Sequence, residues 1–281
     1  MVSSISAALA LAALGSAGAQ ARVVTVGSPL TGPFTQQNFS GAITLFNLTL
    51  ADPKAHEASP VTGVIVRWRL LGPVGGPFRL RVLTPAGGKS YTGAGTSAPR
   101  MPTAAAQTQV FATSLPIAAG QTIAIDSNSS QDHLGGRSVS GSSYGFFAPP
   151  LADGATGAAF APGPLEVGFN ADVATNTLGK PKRNRRNGTA ILPVRVPGPG
   201  KLTLSGKSVR RQRPARAAAA SKLATAAGRV KLRIKPKGRA RRKLNRTGRA
   251  RVKVKVRYTP TGGLPGVSNV QTRKVKLLKA G

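Results

Sequence analysis

Arg251-Val252-Lys253-Val254-Lys255-Val256-Arg257-Tyr258 decides the reading of the fold. Apolar and cationic side chains alternate here with a period of two, and a β-strand sorts such a pattern onto two faces, whereas a helix would scatter it around its circumference. Val230, Leu232 and Ile234 alternate in the same way with Lys231, Arg233 and Lys235, as Val275 and Leu277 do with Lys274 and Lys276. With Gly188–Val196 and Lys201–Ser205, these runs predict a small sandwich over residues 188–281. Pro193 has no N–H to give to a ladder, which marks the first of these runs as an edge strand. Between Pro214 and Gly228 an Ala-rich stretch is bounded by a helix-starting Pro and a helix-stopping Gly, so a short helix or a loop is expected there.

Upstream the same period recurs with a milder polar face. Val64, Val66, Trp68 and Leu70 are expected on one side of a strand, and Phe78, Leu80 and Val82 on one side of the next. The connector Leu71-Gly72-Pro73-Val74-Gly75-Gly76-Pro77 is rich in the residues that turns require and reads as a hairpin. Further strands are expected at Thr108–Leu115, Gln121–Asp126 and Leu165–Val173. Residues 22–178 thus predict a jelly-roll-like β-sandwich, and the fold class is all-β with two sandwich domains. In the predicted hairpin Arg67, Arg69, Arg79 and Arg81 would gather on the face opposite Trp68. Their repulsion would then require water, a bound anion, or an acid such as Glu166 or Asp172.

Charge divides the chain. Of 41 Lys and Arg residues, nine lie in residues 1–178 together with all seven acids, so residues 179–281 hold 32 Lys and Arg and no Asp or Glu. The composition shifts near Gly179, and the basic run 179–187 reads as a linker between a near-neutral and a polycationic module.

Catalytic and metal-binding chemistry finds little to work with. No cysteine is present, which excludes disulfides, thiolate metal sites and cysteine nucleophiles. Gly141-Ser142-Ser143-Tyr144-Gly145 matches a nucleophile elbow, but both histidines, His56 and His133, precede it and no helix is expected after it. His56-Glu57 and Asp132-His133 are adjacent pairs whose side chains diverge in extended chain. A calcium site at Asp126, Ser127, Asn128 and Asp132 has the oxygen ligands but no further support. No catalytic residue, metal site or cofactor is therefore assigned.

Several stretches carry a resemblance: Val194-Arg195-Val196-Pro197-Gly198-Pro199-Gly200-Lys201-Leu202-Thr203-Leu204, Leu244-Asn245-Arg246-Thr247-Gly248 and Tyr258-Thr259-Pro260-Thr261-Gly262-Gly263. They resemble a basic immunoglobulin-like module appended to exported bacterial proteins. Gly76-Pro77-Phe78-Arg79-Leu80-Arg81-Val82-Leu83 and Leu115-Pro116-Ile117-Ala118-Ala119-Gly120 are similar to stretches of uncharacterised secreted β-sandwiches. The resemblance implies a fold and imports no activity.

A sheet face of Lys and Arg without any acid repels itself, and salt screens such charges only beyond roughly 10 Å at 0.1 M. The expected partner is therefore an acidic cell-wall polymer or another polyanion, held by Lys231, Arg233, Lys235, Arg251, Lys253, Lys255, Arg257, Lys274 and Lys276. Solubility alone is the competing account of the charge. Sequence-specific nucleic-acid binding is not expected, because Tyr258 is the module's one aromatic and stacking platforms are missing. The alternative function is a glycan-binding first module with the basic module as a wall anchor.

Ile5–Leu14 has the length of a signal-peptide apolar core, and Ala17-Gly18-Ala19 or Ala19-Gln20-Ala21 supplies the small residues of a cleavage site. After removal of residues 1–21, no remaining stretch is apolar enough to span a bilayer, and the chain is expected to be secreted or envelope-bound without covalent attachment. Intact-mass measurement on secreted material should show a chain starting at Gln20 or Arg22. A Met1 form confined to the cytosol would contradict the export signal.

Overall fold

The computed structural model describes residues 23–39, 41–103, 107–210 and 221–280, so the expected export signal lies outside the described residues. The chain is all-β. Its first strands are β1 (Val23–Gly27), β2 (Thr35–Asn38), β3 (Ile43–Thr49), β4 (Gly63–Leu71), β5 (Arg79–Gly87), β6 (Ser90–Thr96), β7 (Thr108–Ile117) and β8 (Thr122–Ser127). There follow β9 (His133–Arg137), β10 (Ser143–Phe147), β11 (Thr156–Ala158), β12 (Phe160–Gly163), β13 (Glu166–Val167) and β14 (Phe169–Ala174). The second half holds β15 (Thr177–Leu178), β16 (Lys182–Asn184), β17 (Thr189–Val196), β18 (Gly200–Ser205), β19 (Ser221–Ala224), β20 (Gly228–Ile234), α1 (Gly238–Thr247), β21 (Arg249–Pro260) and β22 (Asn269–Leu278).

In the first module a four-stranded sheet, β1-β14-β4-β7, faces a seven-stranded sheet, β11-β6-β5-β8-β3-β10-β12. The edge strands of the larger sheet, β11 and β12, are joined through Ala159 alone, and the sheet curls into a half-barrel. Between the sheets lies one core that includes Ile65, Trp68, Leu70, Phe46, Phe78, Leu80 and Phe169. A third, small sheet, β13-β9-β2, completes the module.

The expected hairpin of β4 and β5 does not form. The two strands belong to different sheets, and the Gly/Pro connector carries the chain across the sandwich instead of back along a neighbour. The expected cluster of Arg67, Arg69, Arg79 and Arg81 is accordingly divided. Arg67 and Arg69 stand on the outside of β4, where both bond Asp172 of β14; Arg69 also reaches Asn170 at 2.9 Å. Arg81 turns to Asp126 of β8, at 2.7 Å, and to Asp153, while the exposed Arg79 lies opposite Asp126 in the ladder. Of the two acids expected there, Asp172 serves as anticipated and Glu166 pairs with Arg137 at 3.1 Å.

A bulge at Val66 corrects the expected phase of β4. The pairing shifts by one residue between Ile65 and Arg67, so Ile65 joins Trp68 and Leu70 in the core and Val66 is only half-buried. Val64 falls on the outer side with Arg67 and Arg69. There it is buried in the core of the second module, and a side chain on Gly198 would meet its methyl groups at 3.3 Å.

The second module packs β15-β17-β16 and β20 against β19-β18-β21-β22. Burial alternates along β21 as expected, with Ala250, Val252, Val254, Val256 and Tyr258 inside and Arg249, Arg251, Lys253, Lys255 and Arg257 outside. Residues 179–187 are not a free linker. Lys182, Arg183 and Asn184 pair with Ile191, Ala190 and Thr189 around a turn ending in Asn187-Gly188, a dipeptide that favours hairpins. Strand β17 is also central, not an edge. Pro193 is tolerated because its carbonyl side faces the break between β15 and β16, where Gly179 N donates to Pro193 O at 2.8 Å, so the missing N–H costs no ladder bond. Of the Pro214–Gly228 stretch, for which a short helix or a loop is expected, residues 214–220 lie outside the described residues, and Ser221–Ala224 forms a strand, β19, paired with β18.

Burial makes the Arg81 pair costly to break on one side. Desolvation alone would lower the Arg81 pKa, but its bonds to Asp126 and the charges of Asp126 and Asp153 outweigh that and raise it. At Asp172 burial alone would raise the pKa, yet bonds from Arg69 and Arg67 and the Arg69 charge hold it below the usual carboxylate range. A lowered carboxylate contributes stability that is complete above its unfolded pKa of about 3.9 and disappears as pH falls through the folded value, so acid loosens the β4–β14 joint. Asp126 is 4% exposed and Asp153 is 52% exposed. Asp126→Ala should therefore cost about 3 kcal/mol or more, and Asp153→Ala less than about 1 kcal/mol. Urea denaturation measures both, and equal losses would contradict this assignment of the buried partner.

Candidate functional site

Every carboxylate in the chain is committed within the first module. Asp126 and Asp153 hold Arg81, Asp172 holds Arg67 and Arg69, and Glu166 holds Arg137 and accepts from Ser28 Oγ at 2.6 Å. Asp132 accepts from Gly76 N, Ser127 Oγ and Asn128 N, which makes it a staple between two loops. The oxygens considered for calcium are thereby turned to Arg81 and to loop N–H groups. Asp52 accepts from Lys54 N, and Glu57 accepts from Leu50 N. Ser143 of the elbow-like motif opens strand β10, and its hydroxyl lies 2.8 Å from that of Thr49.

The second module must therefore arrange its cations without internal counter-ions. Some use neutral oxygens: Arg273 donates to Leu178 O and Gly179 O at 2.7 and 2.9 Å, and Arg183 donates to Lys276 O at 3.0 Å. Others simply face outward. On the β18-β21-β22 sheet Arg251 lies directly opposite Lys276, and Lys253 directly opposite Lys274. Lys255 stands between Ser205 and Thr272, and Arg257 between Thr203 and Val270. Side chains so opposed have Cβ atoms about 4.5–5.5 Å apart, and like charges at that distance destabilise the pair. Along β21 the charges recur about every 6.6–6.8 Å. The result is an open grid of cations interspersed with hydroxyls.

The nine expected polyanion-binding residues do not share one surface. Arg251, Lys253, Lys255, Arg257, Lys274 and Lys276 make up the grid just described. Lys231 and Arg233 lie on β20, in the other sheet, with their side chains on the opposite outer face of the sandwich. Lys235 follows the end of β20 and borders a groove beside α1. Tyr258 is fully buried and its hydroxyl donates toward Gly198 O and Pro199 O, at 3.0 and 3.1 Å. Burial pushes its pKa up to about 12, and no face of its ring is offered to a base.

Sequence reasoning missed α1. Its apolar content is small, since only Ala240 and Leu244 are buried. Those two sit at i and i+4 on one face, which suffices to lay the helix across the end of the sandwich. Gly248 closes it in the left-handed conformation, at φ 64°. Gly188 lies beneath it with the same φ of 64°, and a side chain there would collide with Leu244 Cδ2. The Ala240/Leu244 spacing followed by Gly248 was the available signal. The helix flanks two grooves, with Arg239 and Lys243 on one side and Arg241 and Asn245 on the other.

No protein-family model matches the sequence, and no curated protein matches it.

Leu244 anchors the helix, and Arg242 stands exposed on its far side. Leu244→Ala should destabilise the second module by about 2–4 kcal/mol, and Arg242→Ala should change stability by less than about 0.5 kcal/mol. Chemical denaturation compares them. A Leu244→Ala loss no larger than that of Arg242→Ala would contradict the packing of α1.

Proposed function

We propose that this is a non-enzymatic, exported protein, extracellular or held at the cell envelope, whose second module binds polyanions by charge density. The observation that carries this reading is the opposition of Arg251 with Lys276 and Lys253 with Lys274 in a module with no acid of its own. Such pairs cost stability when bare and gain it when a chain of negative charge runs between them. The grid is an open, exposed row of cations with no enclosing walls, which suits an acidic polymer read by charge more than a ligand read by shape. Released counter-ions would supply much of the affinity, so binding should fall steeply with salt.

A second reading, a glycan-binding first module anchored by the basic one, draws on a different observation. Tyr144, Phe146 and Phe160 form a row on β10 and β12 with ring centroids 6.4 and 5.3 Å apart, and Phe160 is 64% exposed. Glycan binding that ignores salt and disappears with Phe160→Ala would favour it.

Replacing Lys253, Lys255 and Arg257 with Ser leaves the buried side of β21 untouched, so the fold should survive. Retention on immobilised acidic polymer should weaken, and the slope of log affinity against log salt should flatten by roughly 2. Unchanged affinity and slope would leave solubility as the account of the charge.

A further inference from the structure

Beside α1 the cations converge in a concavity as well as on a plane. An open groove of about 550 Å³ separates the helix from the adjoining ends of β21 and β22. Its walls carry Arg239 and Lys243 of the helix, Arg249 and Arg251 of β21 and Lys276 of β22, and Ser208 also lines it. Ala240 and Ala250, both buried, form part of its lining. Their small side chains leave room that a larger residue would fill.

We propose that this groove binds a compact group of closely spaced phosphates, such as the end of a condensed phosphate chain. The proposal rests on the reading of this module as a polyanion binder and adds to it a defined pocket and ligand chemistry. Three elements bring the charges together. Arg239 and Lys243 are four residues apart and share one side of the helix. Arg249 and Arg251 are two apart and share one side of the strand, and Lys276 lies opposite Arg251. Five cations around so small a volume repel one another, and no acid among residues 179–281 is available to relieve them.

The chemistry of the occupant follows from density and geometry. A carboxylated glycan carries its charges at the spacing of sugar rings, too far apart to satisfy five cations in one groove. Linked phosphates place a charge every few ångströms. Arg239, Arg249 and Arg251 present planar guanidinium forks, which meet two oxygens of one phosphate at once. Lys243 and Lys276 add point charges that adapt to the remaining oxygens.

The test is calorimetric titration of the whole chain with inorganic tripolyphosphate at about 0.15 M salt. The expected result is one saturable site that weakens at least about tenfold in R239S/K243S/R249S and less than about twofold in K180S/K182S/R186S, which removes equal charge elsewhere. Orthophosphate and an oligogalacturonate should bind at least about tenfold more weakly than tripolyphosphate. Should the triple groove variant fail to fold, R239K/R249K keeps the charge and loses the forks, and should still weaken binding about threefold or more. Equal losses in the two triple variants, or no loss in the lysine variant, would overturn the groove. Retention on acidic polymer is read on the same samples. A chain retained on polymer whose tripolyphosphate binding ignores Arg239, Lys243 and Arg249 refutes the groove alone, while groove binding without polymer retention refutes the sheet-face reading alone.

Discussion

Repulsion without an internal counter-ion is the constraint on which the second module is built. All seven Asp and Glu residues of the chain are in the first module, and each is bonded there, so the 32 cations of residues 179–281 have no acidic side chain of their own to meet. The strict alternation of β21 is one answer, because it sends every charge to water and every valine to the core. Carbonyl and amide oxygens provide another, at Arg273, Arg183 and Lys279. What these do not cancel faces solvent, on the sheet face and in the α1 groove, and it is this remainder that the proposed polyanion would relieve.

The first module solves the opposite problem. It places Arg67, Arg69, Arg81 and Arg137 beside acids on neighbouring strands, with Arg81 and Asp126 almost wholly buried, and so turns charge into a set of specific cross-strand joints. One consequence reaches the second module. The bulge at Val66 rotates Val64 out of the first core and into the second, where Gly198 leaves space for it. Asn269 Nδ2 donates to Asn176 Oδ1 at 3.0 Å across the same region. The two cores are thus joined by packing as well as by the chain.

Strand positions whose side chains alternate cleanly were legible in the sequence: β20, β21 and β22 lie where Val230–Ile234, Val252–Tyr258 and Val275–Leu277 placed them. Burial pressure on one face is a local signal, and it survives reading from sequence. Topology is not local. The connector 71–77 suits a hairpin and a crossing between sheets equally well, and the choice depends on partners as distant as Asp172 and Asp126. The bulge in β4 hides inside Gly63–Leu70 because Ile65 and Val66 are both apolar. Helix α1 is hard to read from sequence because only two buried apolar residues carry it. The charges of the candidate site were legible; their division between two faces and a groove required the pairing of the strands.

The central claim is that the second module carries uncompensated repulsion which an external polyanion relieves. It is tested most directly by the unfolding free energy of the chain as salt rises from about 0.01 M to 1 M, where the screening length falls from about 30 to 3 Å, with and without added polyphosphate. The account predicts that stability climbs with salt, and that polyphosphate at low salt produces the same gain. Stability that is flat in salt and indifferent to polyphosphate would contradict it.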